Sequence, residues 1–224
     1  MSGADRSIVL FPGLGADARL FREQQARFPN LTVVSWIEPR GSESLSDYAA
    51  RLASEVSGLH PSYVGGASFG GMVALEAARL LRPHGVFLLG SCRSPRSIGG
   101  MFRFGSRIAG VLPESLLRRG DLFASQVARV MGSRSREIAD LLAEMYRSIS
   151  PSLIRWGAGA IRNWSGLEDS GVPVHHIHGE FDRVIPLRGI RPDHVVPGAG
   201  HLLTLTHPEA VNAFMTEALA RPLP

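Results

Sequence analysis

The chain has 224 residues, 44% of them hydrophobic and 20% charged, with 24 basic side chains against 20 acidic ones. That balance excludes a disordered or collagen-like chain and suits a globular protein with one good core. No apolar run is long enough to cross a membrane, the single cysteine, Cys92, excludes an internal disulfide, and the absence of lysine excludes a Schiff-base nucleophile.

Residues 1–6 lack a cationic segment followed by an apolar one, so no signal peptide is expected. With one cysteine, a reducing cytoplasm is the expected location. Residues 7–11 (Ser-Ile-Val-Leu-Phe) read as a strand ended by Pro12-Gly13-Leu14-Gly15, and Leu20, Phe21 and Phe28 space like the inner face of a helix from about Asp17 to Arg27. A second strand is expected over 31–36 and a helix over 45–59. Strand 64–67 leads through a glycine-rich turn into another helix, and 85–90 is a fourth strand.

The pattern then changes. From about Cys92 to Gly166 no strand is convincing, and amphipathic helices are expected near 101–111, 113–131, 134–147 and 151–164. Strands resume at 173–178 and 191–197, with a last helix near 208–219. Strands that are apolar throughout and alternate with helices imply a parallel sheet covered on both faces. The expected fold is therefore α/β, a doubly wound, mostly parallel six-stranded sheet in one domain, 1–224. The helical segment 93–166 interrupts it before the penultimate strand.

The most informative stretch is Gly66-Ala67-Ser68-Phe69-Gly70, a nucleophile-elbow pattern. A serine on a sharp strand-to-helix turn takes a strained backbone, and the residues two before and two after must lack bulk for strand and helix to pass. The turn lifts the Ser68 hydroxyl clear of the sheet, at the positive end of the following helix. A plain alternative is a glycine-rich helix start capped by serine. Two further groups favour the elbow: Asp182, a few residues beyond the end of the 173–178 strand in His178-Gly179-Glu180-Phe181-Asp182, and His201, closing the glycine loop Pro197-Gly198-Ala199-Gly200. Glu180 and Asp193 stand in reserve as the acid, and His194 and His207 as the histidine.

With nucleophile, acid and histidine in the order Ser68, Asp182, His201, the chain resembles the α/β-hydrolase superfamily from Ile8 to about Leu219. The resemblance implies a lidded serine carboxylesterase with an acyl-enzyme at Ser68, His201 as general base and acid, and Asp182 orienting the imidazole. It also implies an oxyanion hole from the backbone N–H groups of Phe69 and Leu14. Where the family usually has histidine-glycine at that first turn, this chain has Pro12-Gly13. The family's first two strands are expected to be absent and a minimal six-stranded sheet is expected, with residues 93–166 in the place of the lid. Residues 38–44 are similar to the family's acidic loop after the second strand and read as scaffold. Relatives that are dehalogenases or epoxide hydrolases carry aspartate where this chain has Ser68. No cofactor or metal is implied.

Three points stay open. Thioester hydrolysis needs the same groups, and a non-catalytic ligand receptor on this fold is the alternative of another class. His175, His176 and His178 invite a metal reading because alternate strand residues share a face, but no acid or cysteine completes the set. Between Arg93 and Arg136 nine arginines face only Glu114 and Asp121. Such a lid is either a solvated surface or a docking face for an anionic substrate or an acidic acyl-carrier protein, as in some lidded carboxylesterases of the family. Its apolar residues, among them Met101, Phe102, Phe104, Ile108, Leu112, Trp156 and Trp164, are expected to roof an acyl pocket. Nucleic acid is disfavoured, since no binding module is recognisable.

Overall fold

The computed structural model describes residues 6–100, 102–103, 107 and 112–221. Six strands form one sheet: β1 (Ile8–Phe11), β2 (Leu31–Val33), β3 (Tyr63–Ala67), β4 (Gly85–Leu89), β5 (Val174–Gly179) and β6 (His194–Val196). Their order is β2-β1-β3-β4-β5-β6 and every pairing is parallel.

Alternation along the strands divides the core in two. Val9, Phe11, Val64, Val86 and Leu88 point to one face, where they meet α2 (Leu45–Val56) and α3 (Phe69–Leu81). Ile8, Leu10, Tyr63, Phe87 and Leu89 point to the other, against α1 (Arg22–Arg27) and the C-terminal helices α8 (Leu203–Thr206) and α9 (Pro208–Ala220). Leu10, Phe11, Phe87, Leu88 and Leu89 are all fully buried. Each such side chain contributes roughly 1.5–3 kcal/mol of hydrophobic stabilisation, which is why β1 and β4 carry no polar residue on either face.

The chain runs β1 to β2 toward one edge, then returns to place β3 on the other side of β1. The connections leaving β1 and β3 thus diverge at the carboxyl ends of two neighbouring strands, the place where open α/β sheets form a crevice. Scaffold details fix the mouth of that crevice. Ser44 Oγ accepts the Asp47 N–H while the Asp47 carboxylate accepts the Ser44 N–H, a capping box that starts α2. Glu43 holds Arg51 at 2.9 Å, and its carbonyl accepts the indole N–H of Trp156 at 2.9 Å, so the loop before α2 is a strut.

Between β4 and β5 the described residues contain helices only: α4 (Glu114–Leu117), α5 (Ala124–Val130), α6 (Arg136–Arg147) and α7 (Pro151–Asn163). Ser135 and Ser150 cap α6 and α7 by accepting the N–H groups of Ile138 and Leu153. The single helix expected over 113–131 is broken. Tyr146 Oη donates to the Leu117 carbonyl at 2.8 Å, occupying the acceptor that would continue α4, and its ring lies where a side chain at Gly120 would have to go. A short 3-10 turn, Gly120–Phe123, bridges the break. The helix expected over 101–111 lies mostly outside the described residues, and the described ones, Phe102, Arg103 and Arg107, are helical. No helix among the described residues is long and apolar enough to cross a membrane.

Candidate active site

Ser68 sits between β3 and α3 with φ 52° and ψ −118°, a conformation that costs a non-glycine residue on the order of 1–3 kcal/mol. The neighbours show why glycine flanks it. A Cβ on Gly66 would collide with the backbone of Gly70 and the Phe11 carbonyl, and one on Gly70 would collide with the carbonyls of Phe11 and Pro12. The turn is held from below by Ser91, whose hydroxyl donates to the Ser68 carbonyl at 2.6 Å. Ser68 does not cap α3 through its side chain, so its hydroxyl is left to the crevice.

The Pro12–Gly15 turn lies directly opposite. A Cβ placed on Gly13 would stand 3.9 Å from the Ser68 Cβ. The Leu14 side chain is pinned against Gly157 of α7, where any Cβ would strike it, and Gly15 takes φ 81° to turn the chain away. Leu14 and Phe69 border the same cavity as Ser68, one from each side of the switch point.

Asp182 and His201 arrive from the loops after β5 and β6. Asp182 Oδ2 accepts His201 Nδ1–H at 2.7 Å, while Oδ1 accepts the backbone N–H groups of Val184 and Ile185 at 2.8 and 2.9 Å. Asp182 is 4% exposed and His201 7%. Burial by itself pushes the Asp182 carboxyl up, but the neighbouring charge of His201 and the hydrogen bonds from His178 and His201 outweigh it and hold the group well below the usual carboxylate range. The other nitrogen of His201, Nε2, is buried with no hydrogen-bond partner among the described residues. His201 borders the same cavity as Ser68.

The reserve residues are engaged elsewhere. Glu180 accepts the Gly198 N–H at 2.9 Å. Asp193 clamps β6 to β5 by accepting the His176 N–H at 2.7 Å and donating its own N–H to the His176 carbonyl at 2.8 Å. His194 packs on Phe214, and His207 Nδ1 lies 2.9 Å from Thr206 Oγ1. Cys92 is buried and does not line the cavity, and its thiol is pushed up to about 12, chiefly by burial.

The three strand histidines split by face. His175 packs against Tyr63 and Phe87, while His176 and His178 point the other way and contact each other, Nε2 to Nδ1, at 3.3 Å. His178 Nε2 lies 2.8 Å from the Ile185 carbonyl and 3.0 Å from Asp182 Oδ2. Among the described residues no group of three or more metal-ligating side chains is arranged to hold an ion. The contact of His178 with Asp182 was not legible as such, although the spacing of i to i+4 across a strand end was there to see.

Burial pushes His176 down to about 3. A histidine that stays neutral when folded loses the competition for protons to the unfolded chain. The stability it confers is present above its ordinary value of about 6.5 and is lost as pH falls from there toward about 3. Acidification across that window is expected to cost wild type on the order of 5 kcal/mol through this group. The His176→Gln variant should show a flatter melting temperature between pH 6.5 and 4 in thermal unfolding. Equal slopes for the two proteins would contradict it.

The cavity above Ser68 has a volume of 1110 Å³. Its walls are apolar, built from Met72 and Leu20 of the core and from Val127, Met131, Ile154 and Ala158 of the helices between β4 and β5. Arg96, Arg103, Arg107 and Arg162 also border it. Three expected lining residues are placed elsewhere: Leu112 does not border the cavity, and its carbonyl accepts from Arg155 at 2.8 Å. Trp156 packs between Tyr48 and Phe69, and Trp164 donates to buried Glu76 at 2.7 Å. Phe102 lines the cavity, while Met101, Phe104 and Ile108 lie outside the described residues.

A family model described as the alpha/beta hydrolase family matches residues 8–214. No curated protein matches the chain. Among solved structures, it is similar to a thermophilic esterase from Thermogutta terrifontis with malate bound, at 20% identity and a TM-score of 0.76, over 98% of this chain and 92% of that one. It is also similar to an esterase from Exiguobacterium antarcticum, at 15% identity and a TM-score of 0.77, over 96% and 92% of the two chains. A third is an N-acyl homoserine lactonase mutant complexed with N-hexanoyl homoserine lactone, at 13% identity and a TM-score of 0.74, over 96% and 89%. At such identities the likeness is one of fold.

Proposed function

The chain belongs to the alpha/beta hydrolase family, and from that premise we propose that it cleaves carboxylic esters through an acyl-enzyme on Ser68. The observation that carries this reading is His201, which borders the same cavity as Ser68, its imidazole held by Asp182 through Nδ1 and its buried Nε2 without a hydrogen-bond partner among the described residues. A serine hydroxyl becomes a useful nucleophile only when a base takes its proton. His201 Nε2 takes that proton as the Ser68 oxygen attacks the ester carbonyl. The charge that develops on the carbonyl oxygen is met by the backbone N–H groups of Phe69 and Leu14. The imidazolium, stabilised by ionised Asp182, then protonates the departing alcohol. Water repeats the sequence on the acyl-enzyme. The helices between β4 and β5 act as the lid, since they supply most of the apolar wall opposite the elbow.

Hydrolysis of p-nitrophenyl acetate and butyrate, stopped by one equivalent of a fluorophosphonate, tests the reading. Binding of these esters with no turnover would favour a receptor instead. Faster turnover of the matching thioester would keep the site and change the substrate.

The esters the site prefers carry an anionic end, either a free carboxylate or an acidic carrier protein, because four arginines against one acid, Asp121, border a mainly apolar cavity. Salt separates this from a merely solvated surface. Raising ionic strength from about 0.05 to 0.5 M should lower kcat/KM for a half-ester of a dicarboxylic acid several-fold while leaving the neutral butyrate nearly unchanged. Equal salt dependence would sink it.

A further inference from the structure

The site has a second histidine behind its acid, and its geometry is fully determined by its neighbours. His178 is completely buried, and its Nε2 faces only acceptors, the Ile185 carbonyl at 2.8 Å and Asp182 Oδ2 at 3.0 Å. Nε2 must therefore carry the hydrogen, and in the neutral ring Nδ1 is then an acceptor. What faces Nδ1 is Nε2 of His176 at 3.3 Å, which must donate. The chain of donors runs one way: His176 Nε2–H to His178 Nδ1, and His178 Nε2–H to the Ile185 carbonyl, with Asp182 Oδ2, the oxygen that accepts His201 Nδ1–H, lying 3.0 Å from the same Nε2.

We propose that His178, its tautomer fixed by His176, is a positioning residue that aims the Asp182 carboxylate at His201 and sets how strongly that carboxylate draws the His201 proton. The proposal rests on the reading of Ser68, Asp182 and His201 as catalytic.

Without His178, Oδ1 keeps its two backbone donors, but Oδ2 is held by His201 alone. The carboxylate gains freedom to turn, and the charge on Oδ2, no longer shared with the Nε2–H 3.0 Å away, binds the His201 proton more tightly. The first effect lowers kcat. The second moves the acid limb of the kcat/KM profile to higher pH, because His201 must lose its proton to act as base. The other titratable or charged groups around this chain are His176 on the same strand and, from the segment after β4, Cys92 and Arg93. Asp182 acts through its charge on Cys92, and Arg93 on His176. None of these donates to Oδ2.

The test compares His178→Leu, which removes the donor, with His178→Gln, whose amide nitrogen falls where Nε2 was, using p-nitrophenyl butyrate and counting active sites with a fluorophosphonate. His178→Leu should lose roughly 10- to 100-fold in kcat per active site, with KM little changed and the acid limb displaced upward by about half a unit or more. His178→Gln should recover most of both. If His178→Leu does not fold, His178→Asn takes its place, since its amide reaches toward His176 and not toward Asp182, and it should show the same deficit.

A His178→Leu protein that melts lower but keeps wild-type kcat and acid limb would overturn the proposal, leaving His178 a packing residue. So would identical kinetics for the asparagine and glutamine variants. Ser68→Ala, assayed beside them, separates the levels. Wild-type turnover by Ser68→Ala removes the catalytic reading and this proposal together, whereas an inactive Ser68→Ala with an unaffected His178→Leu removes this proposal alone.

Discussion

Ser68→Ala is expected to lower kcat for p-nitrophenyl butyrate by about 10⁴- to 10⁶-fold, the scale on which removal of a triad serine acts. The fold should survive, because the Ser68 side chain makes no cap for α3 and alanine occupies the same backbone conformation. Ser68→Gly sharpens the point. At φ 52° and ψ −118° the serine stores strain of on the order of 1–3 kcal/mol. Glycine releases it, at an entropic cost of roughly 0.5–1 kcal/mol. The glycine variant should be as inactive as the alanine variant yet melt about 2–4 °C above wild type. Activity gained by strain and stability gained by losing it are both measured by an assay and a thermal melt. A glycine variant less stable than alanine would show that the elbow is not strained.

Asp182→Asn should lower kcat by about 10⁴-fold with only modest loss of stability. The reason lies in the three donors to the carboxylate and the His178 nitrogen beside it. Oδ1 accepts two backbone N–H groups that cannot move without breaking the turn at Val184 and Ile185, so the amide oxygen of asparagine must take that place. Its NH₂ then falls at the Oδ2 position and donates to His201 Nδ1. That forces the imidazole hydrogen onto Nε2, where the ring can no longer accept a proton from Ser68. The same NH₂ meets His178 Nε2–H, donor against donor, unless His178 and His176 both exchange tautomers. A pH-rate profile with steady-state kinetics on the active fraction checks this. Retention of even a tenth of wild-type kcat would mean that Asp182 does not orient His201.

Much of this was legible in the sequence because the determining constraints are local. Gly66 and Gly70 are required by backbone atoms a few residues away or across one strand, so the elbow announces itself in five residues. Strands buried on both faces read as unbroken apolar runs, and β1, β3 and β4 lie within about a residue of their expected limits. Edge strands do worse. β2 stops at Val33, short of the expected 36, as Trp36 leaves the sheet to donate to the Ala16 carbonyl at 3.1 Å. β6 is confined to His194–Val196, with Asp193 spent on clamping it. The break at Gly120 was hidden because its cause, Tyr146, comes from another helix. The link from His178 to Asp182 was hidden for a related reason: it needs the loop to fold back over its own strand, bringing Ile185 and Asp182 onto one imidazole. Charge counting located the arginines, but only the folded chain separates those bordering the cavity from Arg118 and Arg136, which pair with Glu114 and Asp140 along their own helices.

Covalent capture bears most directly on Ser68 as the nucleophile. The wild-type protein, treated with a fluorophosphonate and weighed intact, should gain the mass of one adduct, lose ester hydrolysis in proportion, and carry the label on the peptide containing Ser68. Ser68→Ala should gain none. Labelling of Ser68→Ala to the same extent, or undiminished hydrolysis by fully labelled wild type, would contradict the assignment.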